Sequence, residues 1–165
     1  MRKLLLLVVA ASVGVAAILT AGASGTRANR DVAGARAVKI STRKVPKLGT
    51  VLVNAKGFTL YMFVPDKRRR VTCVRTCAKI WPPAKLPKGA KAVAAGAARS
   101  SLLASDRNPS GGRVVTYNKW PLYTYVSDTA PGQAKGQALN LNGGLWYVLS
   151  PAGKVIKTKP HGGYR

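Results

Sequence analysis

Two stretches of this chain repeat one pattern at a constant offset of 62 residues, and this constrains the fold more than any other feature. Leu52-Val53 falls on Val114-Val115, Phe58 on Trp120 and Leu60-Tyr61 on Leu122-Tyr123. Phe63-Val64 falls on Tyr125-Val126 and Asp66 on Asp128, all without a gap. Two copies with an irregular connection predict a pseudo-symmetric pair rather than a solenoid. Side chains alternate along a strand. Tyr61 and Phe63 therefore share one face while Leu60, Met62 and Val64 share the other, and Tyr123 and Tyr125 repeat the aromatic face. Asp66 and Asp128 each follow the strand, where a carboxylate accepts backbone N–H bonds in a turn.

The rest of the pattern is also that of strands. Thr50–Asn54 and Thr59–Val64, joined by Asn54-Ala55-Lys56-Gly57, predict a first hairpin. Arg113–Tyr117 with Pro121–Val126 predict a second, and Leu145–Leu149 with Lys154–Lys157 a third, turned by Ser150-Pro151-Ala152-Gly153. Pro82-Pro83 should leave the sheet, since two prolines remove two donors. Lys85–Gly112, rich in Ala, Gly, Lys and Ser, is expected to be the least regular stretch, with a short helix over Ser100–Ser105. No long amphipathic helix follows the N-terminal apolar run. The expected class is mostly β: a small antiparallel domain of two diverged hairpin-containing repeats. Its expected bounds are 45–158, with repeat one at about 47–83 and repeat two at about 110–150.

Met1-Arg2-Lys3, the uncharged Leu4–Leu19 run and Ala21-Gly22-Ala23 have the form of a signal peptide over residues 1–23. As a helix the run spans about 24 Å, short of the roughly 30 Å hydrocarbon core, so cleavage near Ala23 is expected over an uncleaved anchor. Residues 24–44, with Arg27, Arg30, Arg36, Lys39, Arg43 and Lys44, are expected to be a flexible basic linker. A short strand over Ala37–Ser41 is the weaker alternative. Residues 159–165 are expected to be a flexible tail.

The chain carries a net charge of +24, and losing Arg2 and Lys3 with the signal leaves +22. Its only acids are Asp31, Asp66, Asp106 and Asp128. A small soluble domain typically carries a net charge of about 2 to 8. This excess should draw polyanions: an anionic envelope polymer or membrane surface, with nucleic acid ranked lower because an exported chain seldom meets it. Lys67, Arg68, Arg69 and Arg70 are the sharpest candidate anion site, weighed evenly against a solvated charge run.

Cys73 and Cys77 in an exported chain are expected to form one disulfide. Extended chain would hold them about 13 Å apart, so the bond requires a turn or helical stub, after which Trp81 can return over the aromatic face. Zinc lacks ligands, because the single histidine, His161, lies in a Gly-rich tail. No metal or other cofactor is expected. Asp66 and Asp128 as an acid–base or metal-binding pair are outweighed by the view that each caps its own turn. Tyr61, Phe63, Trp81, Trp120, Tyr123, Tyr125 and Trp146 are read first as core and second as a stacking platform. No nucleophile elbow or phosphate loop is present, and an enzyme is not expected.

Taken together, the motifs resemble a bacterial secreted and lipoprotein repeat family marked by Tyr-x4-Asp. Tyr61-Met-Phe-Val-Pro-Asp66 and Tyr123-Thr-Tyr-Val-Ser-Asp128 carry that signature. Cys73-x3-Cys77-Ala78-x2-Trp81-Pro82-Pro83 and Thr116-Tyr117-Asn118-x-Trp120-Pro121-Leu122-Tyr123 add to it. So does the segment from Pro131-Gly132 through Gly136-Gln137 to Gly143-Gly144-x-Trp146. The resemblance covers about residues 48–150 and implies an exported protein of largely uncharacterised role. The chain departs from it in lacking a lipid-anchor cysteine and in its excess of Lys and Arg. The expected function is non-enzymatic binding of anionic polymer or lipid surface in the cell envelope. The alternative is a small-ligand or metal-associated envelope protein using the repeat Tyr and Asp residues, an accessory to envelope or hydrocarbon metabolism.

Overall fold

In the computed structural model, residues 37–67 and 70–159 are described, and all belong to one compact unit, Val32–Arg165. The expected signal peptide and tail residues 160–165 lie outside them. The described residues form three small sheets. In the first, β1 (Ala37–Val45) lies between β2 (Gly49–Asn54), antiparallel to it, and β5 (Lys91–Ala94), parallel to it. In the second, β10 (Gly144–Leu149) takes β3 (Tyr61–Phe63) on one side and β11 (Val155–Ile156) on the other, with β9 (Asn140–Leu141) paired to its start. In the third, β7 (Arg113–Tyr117) pairs with β4 (Lys85–Leu86), β6 (Leu103–Arg107) and β8 (Trp120–Pro121). The one α-helix among the described residues is the short α1 (Thr76–Ile80).

Three expectations need correction. Residues 37–44, assigned to a flexible linker, form most of β1; residues 24–36 lie outside the described residues. Val38, Ile40 and Thr42 alternate with Lys39, Ser41 and Arg43, and Ile40 is fully buried. This is a strand's period of two beneath a heavy load of cations. Lys85–Gly112, expected to be irregular, holds β4, β5 and β6. Its helix shrinks to a 3-10 turn over Ser100–Leu102 that runs straight into β6.

The first two hairpins are also cut short. Leu60 N–H donates to Leu52 O at 2.9 Å and Leu122 N–H to Val115 O at 3.0 Å, after which both chains leave their partners. Leu52 is thus the counterpart of Val115, not of Val114. The first turn carries one extra residue and holds its shape through Asn54, whose side chain accepts N–H bonds from Lys56 and Phe58. The second is a two-residue turn with Asn118 and Lys119 both at positive φ, 46° and 70°. The third hairpin, β10 to β11, forms as expected.

The aromatic and aliphatic faces separate as alternation predicts. Tyr61, Phe63, Trp81, Tyr123, Trp146 and Val148 pack in one cluster with Val45, Leu48, Val51 and Cys73. Leu60, Met62, Leu122 and Leu149 pack in a second cluster with Ile40, Leu52, Val115 and Tyr117. β3 and β10 form the wall between them. Val64 is the exception: it opens a 3-10 turn and is 42% exposed.

Candidate functional site

The repeat signature residues meet in the buried core of the described residues. Tyr61 and Tyr123 face each other antiparallel and exchange both backbone bonds, Tyr61 N–H to Tyr123 O at 2.8 Å and Tyr123 N–H to Tyr61 O at 2.9 Å. Equivalent residues paired in this way mark a local pseudo-twofold axis. The side chains obey the same axis. Tyr61 donates its hydroxyl to Asp128 Oδ2 at 2.6 Å, and Tyr123 donates to Asp66 Oδ2 at 2.5 Å. Each tyrosine is therefore held by the aspartate of the other repeat.

The second oxygen of each aspartate closes its own loop. Asp66 Oδ1 accepts the backbone N–H and hydroxyl of Thr72 at 2.7 and 2.6 Å, and Asp128 Oδ1 accepts the N–H of Lys135 at 2.9 Å. The turn-capping role expected from sequence is present in both repeats. The bond across the repeats is what sequence reasoning missed, because an internal repeat reveals equivalence and not partnership. With both oxygens of each carboxylate engaged, the pair does not form an open dyad. Among the described residues no group of three or more His, Cys, Asp or Glu is placed to hold a metal ion.

Burial pushes both carboxyls above the ordinary carboxylate range, against the opposing pull of their hydrogen bonds. Burial and the neighbouring carboxylate push both tyrosine hydroxyls well above their usual value. Neither tyrosine loses its proton in the physiological range, so each remains a donor.

Around this clamp the rings form a stack of four. Phe63 lies on Trp146 at 4.1 Å, Trp146 on Trp81 at 3.8 Å, and Trp81 on Tyr125 at 4.1 Å between ring centroids. Tyr61 meets the edge of Trp81 and Tyr123 the edge of Trp146. Phe63 and Tyr125 are repeat equivalents, as are the two tyrosines, so the whole ring set follows the pseudo-twofold. Trp81 and Trp146 are fully buried and Phe63 nearly so, which makes this set core rather than an exposed platform. Two glycines make room for it. A Cβ on Gly136 would come within 2.7 Å of the Trp81 ring, and one on Gly144 would run into Pro65 and come within 3.1 Å of the Phe63 ring.

Cys73 and Cys77 are bonded, with their Cα atoms 5.2 Å apart, and α1 supplies the helical stub the spacing requires. Cys73 is buried in the aromatic cluster. Of the basic run, Lys67 and Arg70 are exposed, and Arg68 and Arg69 lie outside the described residues.

A second cationic feature escaped the sequence reading because its residues are far apart in the chain or were assigned to the linker. Lys39 and Arg43 project from β1 and Lys56 from the Asn54–Gly57 turn, and together they line a cleft of about 270 Å³ with Ser41, Thr42 and Asn54.

No curated protein and no solved structure matches the chain. A family model described as a secreted repeat of unknown function matches it twice, over residues 42–85 and 105–150. Each match contains one Tyr-x4-Asp signature and one half of the clamp, and together they span more than half of the sequence. The chain therefore belongs to this family of secreted repeats of unknown function.

Proposed function

We propose that this exported chain is a non-enzymatic envelope protein that adheres to anionic polymer through its surface charge. One observation carries the reading: the fold withdraws acid from the surface and leaves base. Asp66 is fully buried and Asp128 is 4% exposed. Asp106 is the only other described carboxylate, and its Oδ2 is buried. Among the described residues, exposed Lys and Arg therefore far outnumber exposed carboxylates, and the summed field of the cations extends outward. A catalytic use of the signature residues finds no support in their geometry, since their polar atoms bond one another. The mature protein is proposed to begin after Ala23.

The test is co-sedimentation of the mature chain with isolated anionic wall polymer and, separately, with anionic lipid vesicles across a salt series. Binding should fall steeply from about 0.05 to 1 M salt, as screening shortens the reach of each charge from over 10 Å to about 3 Å. Retention unaffected by molar salt overturns the reading, and retention on vesicles alone moves it to the lipid surface. N-terminal sequencing of the exported protein should begin at Ser24, and an intact Met1 would establish the anchor instead.

A further inference from the structure

We infer that the cleft between β1 and the Asn54–Gly57 turn is a binding site for phosphodiester groups of an anionic polymer. The inference rests on the adhesion reading above and names the site through which it acts. Lys39, Ser41 and Arg43 stand on one side of β1 because alternate residues of a strand share a face. Lys56 reaches the same space from the turn that Asn54 fixes with two side-chain bonds. Three cations thus converge where none of the described carboxylates lies: Asp66 and Asp128 are buried in the clamp, and Asp106 belongs to β6. Convergence of like charges is unfavourable until an anion joins them.

Arg43 also lies along two glycines of the neighbouring loops. Its guanidinium lies over Gly57, where a Cβ would come within 3.1 Å of Nη2, and its stem lies over Gly132, where a Cβ would come within 3.3 Å of Cδ. Gly132 N–H donates to Gly57 O at 3.2 Å, so the two glycines form a single flat bed beneath the side chain. Both have positive φ, 83° in each case, which keeps side chains out of the bed. A planar guanidinium resting there presents a two-pronged donor that matches phosphate oxygens, and Ser41 lines the same cleft with a hydroxyl. The cleft is open to solvent and falls below the roughly 300 Å³ at which small-molecule pockets begin. It suits one charged unit of a chain that continues past it rather than an enclosed ligand.

The test measures binding of poly(glycerol phosphate) to the mature protein at about 0.15 M salt, where surface charges are screened beyond about 8 Å. The triple variant Lys39→Gln, Arg43→Gln, Lys56→Gln should weaken binding about tenfold or more. Removing three exposed cations elsewhere, by Lys88→Gln, Lys119→Gln and Lys157→Gln, should weaken it about threefold or less. Arg43→Lys keeps the charge and loses the planar fork, so it should cost about threefold by itself. This variant also decides the matter if the triple variant does not fold. Equal losses in the two triple variants, or full binding by Arg43→Lys, overturn the cleft and leave general adhesion standing. A wild-type protein that does not bind the polymer even at low salt removes the adhesion reading as well. Phosphatidylglycerol vesicles form the second arm: sensitivity to the cleft substitutions there, with none toward the polymer, overturns the polymer assignment.

Discussion

The two repeats place the same side chains by different means. In repeat one a covalent bond between Cys73 and Cys77 shapes the approach to Trp81, and α1 completes it. Repeat two has no cysteine, and side-chain amides do the equivalent work before Trp146. Gln133 Oε1 accepts the N–H groups of Thr129 and Ala130. Buried Gln137 accepts Val148 N–H and donates to Ile156 O and Thr158 O. The tryptophans differ in the same way. Trp146 Nε1 donates to Leu141 O at 3.0 Å, whereas buried Trp81 Nε1 has no partner among the described residues. The duplicated clamp and stack are fixed by what must touch across the axis, and the loops behind them are interchangeable solutions.

The comparison breaks most directly at the stacked indoles. Trp81→Ala and Trp146→Ala should each destabilise the fold by about 3 to 5 kcal/mol, as buried Trp truncations do. Urea unfolding measures this, and a cost below 1 kcal/mol at either position would show that the ring set is not shared equally.

A double-mutant cycle sharpens the pairing across the axis. Tyr61→Phe leaves Asp128 Oδ2 without its buried donor and should cost about 1 to 3 kcal/mol. Combined with Asp128→Asn, it should show a coupling of about 0.5 to 3 kcal/mol. Combined with Asp66→Asn, in its own repeat, the effects should add to within about 0.5 kcal/mol. Stronger coupling within the repeat than across it would falsify the exchanged clamp.

Reduction of the disulfide bears on repeat one alone. The five-residue loop gives about 2 kcal/mol in the chain-entropy account. Hydrogen exchange with and without reductant should show faster opening around residues 73–81, while β10 amides change little. Loss of cooperative unfolding throughout the domain would mean that the bridge holds both repeats.

The smallest effect is a slope with pH. Asp66 and Asp128 sit above the ordinary carboxylate value in the fold, so the native state keeps protons that the unfolded chain releases. Their contribution is fully present below the ordinary value of about 4 and is lost as pH rises through the raised folded values. The chain has no glutamate and only two other aspartates, Asp31 and Asp106, so this pair is half of its acidic side chains. Unfolding midpoints measured from about pH 3 to 7 should decline less in Asp128→Asn than in the parent. An unchanged slope would show that burial does not control this carboxyl.

The faces of the central strand were legible in the sequence because tyrosine and phenylalanine alternate with leucine and methionine around residue 61. The repeat was legible too, though its overlay concealed the one-residue difference between the turns at Gly57 and Lys119. β1 was obscured by Lys39, Arg43 and Lys44, whose charge suggested a linker while Val38, Ile40 and Thr42 kept a strand's spacing. β5 and β6 were obscured for a related reason: their Ala, Ser and Lys residues are half-buried at most and carry little apolar signal. The basic cleft needed the first strand and a distant turn brought together, which no local spacing displays. Trp81 was expected over the aromatic face and lies there.

The exchanged clamp has a bearing on how such a chain could arise. A single repeat carries one tyrosine donor and one aspartate acceptor, and within its own length the two do not meet. Two identical copies related by a true twofold would satisfy both at once, closing the same pair of bonds between separate molecules. A single ancestral repeat would then be self-complementary, and gene duplication with fusion would turn an encounter between two such molecules into a contact within one. After that event the halves could diverge in every loop, but a change at Tyr61 is felt at Asp128 and one at Tyr123 at Asp66. Pairs of positions that lie in different repeats should therefore vary together through the family's history.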